Sequence, residues 1–136
     1  MLDPDWAPAL LERLGEVTGL DEVRLDALRQ ATHGDTMPER GFLNAHPHAI
    51  GPFGPAPQAL SIARVAHVSE LLDGIDMHAL LRALPTDDRE AAYLIGQGAD
   101  RVIGGPRGYL LKHFNALRDF YQRAAKHRML VVLWWD

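Results

Sequence analysis

Cysteine is absent from this chain of 136 residues, which excludes disulfides, thiolate nucleophiles and cysteine-bound metal in one step. A reducing compartment is compatible with that composition. Serine is nearly as scarce. Ser61 and Ser69 are the only two, and neither lies in the Gly-x-Ser-x-Gly turn on which a serine hydrolase exposes its nucleophile. Lysine occurs at positions 112 and 126 alone, against twelve arginines, a bias that hints at a GC-rich bacterial genome. No apolar run approaches the roughly 18 residues of a membrane span. The opening Met1-Leu2-Asp3-Pro4-Asp5-Trp6 carries acids where a signal peptide carries basic residues. A cytoplasmic protein without membrane contact is therefore expected. Positive net charge is missing as well: the formal charge is −4, so no general attraction to nucleic acid is expected. The partner expected is a protein, a second copy of the chain or a small molecule.

What is present is an ordinary globular composition. With 47% hydrophobic and 24% charged residues, the chain lies far from the disordered corner of low hydrophobicity and high charge, and its length suits one domain over residues 1–136 with a single core. Its organising stretch is the C-terminal one, Tyr109 to Trp135. Leu110, His113, Phe114, Leu117, Phe120, Tyr121 and Ala124 recur at steps of three and four, which places them on one face of a helix, opposite Lys112, Asp119, Gln122, Arg123 and Lys126. Residues 129–135 then lose the helical period and become β-branched and aromatic, as in a strand buried on both faces. The fold class expected is α+β: mainly helical, with a small antiparallel sheet that includes the strand 129–135.

Upstream, Asp5 is placed to cap a helix from about Trp6 to Thr18, with Pro8 tolerated in its first turn. Asp21 is placed to cap a second helix to about Thr32, in which Val23, Leu25 and Leu28 are apolar, and the two helices are expected to pair as a hairpin. Residues 33–60 hold five prolines and four glycines, so a functional loop or short strands at Phe42–Asn44 and Pro57–Ser61 are expected there. Ser61, Asp76 and Asp87 then cap three further helices, the first with Ile62, Val65, Val68, Leu71 and Leu72 at helical spacing, and a mobile glycine loop follows from Gly96 to Gly108.

Candidate chemistry is sparse. His46 and His48 flank Pro47 in the proline-rich segment, and two imidazoles with His33 or His67 nearby would begin a metal site. A third ligand at readable spacing is missing, so no bound metal and no cofactor are expected. Gly96-Gln97-Gly98-Ala99-Asp100-Arg101 opens like a dinucleotide fingerprint but has Arg101 at the last glycine and follows a helix rather than a strand. The run Gly104-Gly105-Pro106-Arg107-Gly108 combines free amides before a helix with one guanidinium, which can hold an anion; proline in a first helical turn accounts for the same residues. The carboxylates at Asp73, Asp76, Asp87 and Asp88 stand where helix caps belong. No catalytic residue is assigned.

The run Gly54-Pro55-Ala56-Pro57-Gln58-Ala59-Leu60-Ser61, with Leu71-Leu72-Asp73-Gly74-Ile75-Asp76, resembles the entry to a helix in the YfbM-like family of bacterial proteins of unknown function. The end of the chain is similar too: Phe114-x-x-Leu117-x-x-Phe120-Tyr121-x-x-Ala124-Ala125, then Val131-Val132-Leu133-Trp134. The resemblance covers about residues 54–136 and rests on packing residues. It implies a fold and no catalytic residues. That family's opening strand has no counterpart in the first residues here, which leaves an apolar sheet edge or face to be covered.

A non-catalytic protein-binding domain is therefore expected, with neutralisation of a bacterial toxin as an immunity protein among its forms. Its contact residues are expected among Val132, Trp134, His46, His48, Phe53 and Arg107. The alternative is a small ligand-binding domain or enzyme that uses the 33–60 segment and the 104–108 glycine loop.

Overall fold

Helices account for most of the architecture, and short polar side chains set where they start. A computed structural model of the chain describes Leu2 and residues 7–34 and 58–133. Among the described residues the α-helices are, in chain order, α1 (Ala7–Thr18), α2 (Glu22–His33), α3 (Ile62–Asp73), α4 (Met77–Arg82), α5 (Asp88–Ile95) and α6 (Pro106–Lys126). Asp21 accepts from the Arg24 amide, Ser61 from Arg64, Asp76 from Ala79, and Asp87 from both Arg89 and Glu90. Each of these bonds satisfies amides that a first helical turn leaves without partners. The Arg24 amide and guanidinium also hold the Asp21 carboxyl below its ordinary range. Asp5, Phe42 and Asn44 lie outside the described residues.

The expected hairpin of α1 and α2 is present. Arg29 Nε donates to Glu12 Oε1 at 2.8 Å, and His33 Nε2 lies 3.4 Å from the other oxygen of the same carboxylate. Two strands, β1 (Gln58–Leu60) and β2 (Val131–Leu133), form an antiparallel sheet that pairs Gln58 with Leu133, Ala59 with Val132 and Leu60 with Val131. The chain is thus α+β and mainly helical, and the C-terminal strand belongs to its sheet.

The strand starts later than residue 129 for a reason visible at the end of α6. Arg128 turns into the left-handed region at φ 52°. Its amide donates to the Ala125 carbonyl, and the Met129 amide donates to Ala124. This is the double bond pattern of a Schellman cap, and it takes residues 127–129 for closing the helix. Trp134 and Trp135 lie outside the described residues.

Helix α6 is the spine. It packs along α3, and α1, α4 and α5 also meet it. Leu110, Phe114, Leu117, Tyr121 and Ala124 are buried on it. Phe120, expected in the core, is only half-buried; it sits one position off the stripe and meets the Tyr121 ring edge-on at 5.6 Å. Val23 and Ile62 likewise face outward, 60% and 49% exposed, because α2 and α3 turn Leu25, Leu28, Val65 and Val68 inward instead.

Tyr121 does more than fill space. Its hydroxyl donates to the Ala31 carbonyl at 2.8 Å, and that carbonyl belongs to the last turn of α2, where carbonyls have no intrahelical donor. Burial raises the phenol's pKa, since the anion would be stripped of water. Tyr121→Phe is expected to lower stability by about 1–3 kcal/mol, the cost of leaving a buried acceptor unmade. The sign with pH follows from the raised value. The neutral phenol's contribution is complete below about pH 10 and falls as the pH rises above it. Denaturant melts of wild type and variant at pH 8 and pH 11 check both points, and an equally steep alkaline loss in the variant would refute the assignment to Tyr121.

Candidate functional site

The residues named from the sequence divide by position. His46, His48, Phe53 and Trp134 lie outside the described residues. Val132 and Arg107 lie within them, at opposite ends of α6: Val132 is in the strand that follows it and Arg107 in its first turn.

Val131 is buried and Leu133 packs against the core from the same side of β2, because alternate residues of a strand share a face. Val132 points the other way and is half-buried, and its cross-strand neighbour Ala59 is buried. The strand therefore has one face in the core and a second face that is in large part covered.

Arg107 is held within the chain. Its Nη1 donates to Asp88 Oδ1 at 2.7 Å and its Nη2 donates to the Pro85 carbonyl, which ties the start of α6 to the start of α5. The Asp88 carboxylate also lies against Gly105, the residue before Pro106, close enough that a Cβ there would be 3.1 Å from Oδ2. A carboxylate beside a helix N-terminus is favoured by the partial positive charge of that end. The chain's own acid thus stands where an outside anion could have been held.

The segment between α5 and α6 is not the open loop its glycines suggest. Ala99 is buried and begins a short 3-10 turn, Ala99–Arg101. Backbone bonds follow one another along the segment: Ala99 to Gly96, Arg101 to Gly98, Val102 to Ala99 and Gly105 to Val102. Gly96, Gly98, Gly104 and Gly105 all take positive φ, a region closed to most side chains, and this lets the tight turns succeed one another. α6 then starts at Pro106, earlier than the Tyr109 at which its stripe becomes readable.

This folded segment presents apolar side chains to solvent. Ile103 is 101% exposed, Tyr93 on the preceding helix 90% and Leu94 40%. Sequence periodicity assigns no role to Ile103, which lies in no helix or strand. Its neighbours Gly104 and Gly105, which turn the chain away, were the only available signal. Among the described residues no group of three His, Asp or Glu is placed to hold a metal ion, and no helix is long and apolar enough to cross a membrane. Neither protein-family models, curated proteins nor solved structures match this chain.

Proposed function

We propose that this chain is a non-catalytic protein-binding domain whose contact surface is centred on α5 and the turn that follows it. The observation that carries the reading is Ile103, a fully exposed aliphatic side chain on a segment fixed by consecutive backbone hydrogen bonds. Apolar anchors on pre-ordered backbone are favourable for association, since little conformational freedom remains to be lost when a partner covers them. Tyr93 adds an aromatic side chain of the kind enriched in such contacts. Val132, half-buried on the other face of β2, offers a second apolar position. Toxin neutralisation and self-association are two forms of this function, and membership of the YfbM-like family is compatible with either.

The test is an Ile103→Asp, Tyr93→Glu double variant. Both side chains are exposed, so the melting midpoint is expected to stay close to wild type, within about 0.5 kcal/mol of stability per substitution. Self-association is read by analytical ultracentrifugation, and partner capture by cross-linking in lysate of the source organism followed by mass spectrometry. A self-associated species or a specific partner present with wild type and lost with the folded variant is the expected result. The same assembly state and the same captured proteins for both would sink the proposal.

A further inference from the structure

Helices α2 and α3 pack against each other and leave between them a groove of about 350 Å³ that opens to solvent. Glu22, Asp26 and Gln30 follow one another at steps of four along α2, and Arg64 and His67 stand three apart on α3. Residues at these spacings share a helix face, so one wall is a row of acceptors and the other a row of donors. The two rows do not neutralise each other. Among the described residues neither the Arg64 side chain nor His67 has a hydrogen-bond or ion-pair partner, and Glu22, 86% exposed, only approaches Arg29 at 3.9 Å on its own helix.

Gln30 continues the row. Its Nε2 donates to Asp26 Oδ2 at 2.7 Å, which sets the amide's orientation, since the flipped form would place two oxygens together. Its Oε1 is consequently buried with no partner among the described residues.

We propose that this groove binds a small zwitterion of the amino-acid class. The ammonium lies between the Asp26 and Glu22 carboxylates. The carboxylate takes the Arg64 guanidinium, whose planar fork suits a bidentate pair, with His67 as a second donor. Ala27 and Leu71 provide apolar contact between the two rows. The volume lies near the lower end of the range for ligand sites, which favours a ligand of one or two residues over a larger one. This site is separate from the surface around Ile103, so either proposal can fail without the other.

The experiment is a titration of ¹⁵N-labelled protein with glycine, L-leucine, L-glutamine and the dipeptide alanyl-leucine, each to millimolar concentration, followed by amide NMR shifts. Acetate and ethylammonium, each carrying one of the two charges, are the controls. At least one zwitterion is expected to produce saturable shifts confined to residues 22–30 and 64–71, with binding at least tenfold weaker in Arg64→Gln and in Asp26→Asn. Both variants change surface groups, and their melting curves verify folding. Absence of saturable shifts with every zwitterion would overturn the proposal. So would equal binding of acetate alone, or binding unchanged in the folded Arg64→Gln protein.

Discussion

Phe114→Ala is expected to lower the stability of this domain by about 3–5 kcal/mol, the range for emptying a buried aromatic site. Phe114 is wholly inaccessible to solvent and lies in the middle of α6, the helix on which α1, α3, α4 and α5 converge. Little around it is free to collapse into the space, because the core cluster it belongs to draws on several elements at once. The Arg118 guanidinium lies 6.0 Å from the ring centroid, so the substitution also removes a modest cation–π attraction. Set against total stabilities of about 5–15 kcal/mol for native domains, the loss is a large share of the whole. Chemical denaturation of wild type, Phe114→Leu and Phe114→Ala measures it, with Leu expected in between because it keeps more of the volume. An alanine variant with the wild-type midpoint would mean that this face of α6 does not pack as described.

The second large effect is expected at Gly34, at the end of α2. Its backbone stands at φ 78° and ψ −173°, a region open essentially to glycine, where other residues incur about 1–3 kcal/mol of strain. A Cβ built there would lie 2.4 Å from the Cβ of Gln58 and 3.1 Å from Leu133 Cδ1. The nearer atom is fixed to the backbone of β1, so it cannot swing away as a side-chain tip would. Gly34→Ala is therefore expected to cost more than backbone strain alone. Gly19 provides the comparison: it has the same φ of 78° with nothing within 4 Å, so Gly19→Ala reports a side chain placed at positive φ without the clash. Thermal melts of the two variants should differ, with the midpoint of Gly34→Ala the lower. Equal midpoints would show that α2 and β1 do not meet as closely as described.

The sequence was most legible where chemistry is local. Asp21, Ser61, Asp76 and Asp87 each precede a helical stripe, and each caps one, because a short acceptor next to free amides needs nothing from the rest of the fold. The stripe of α6 was equally readable, since burial of one face imposes its own period. Phe120 shows the limit. A helix repeats every 3.6 residues, and only the placement of neighbouring helices decides which edge of a wide stripe is covered. The segment between α5 and α6 differs from its sequence expectation for a related reason: glycine content indicates conformational freedom, whereas the backbone bonds that use this freedom to fold the segment into turns leave no periodic trace in the sequence. Val132 and Arg107 were identifiable as residues, but their surroundings were not. The partner of Arg107 stands on another helix, and spacing along the chain carries no record of such a pairing. The α2–α3 groove was invisible for the same reason, because its two walls come from helices whose packing is a tertiary fact.

The sheet has a thermodynamic consequence of its own. β1 and β2 are three residues each, and all of α3, α4, α5 and α6 lies between them in the chain. Drawing together the ends of so long a segment costs loop-closure entropy, and a two-stranded sheet is marginal even when a tight turn joins its strands. Three pairs of residues cannot offset that cost. The helices lower it beforehand: α6 runs back along α3 and delivers β2 to the place where β1 ends, so the strands meet across a gap the helical core has already closed. The sheet is thus a dependent of the helical packing, and its pairing is conditional on the order of everything between its strands.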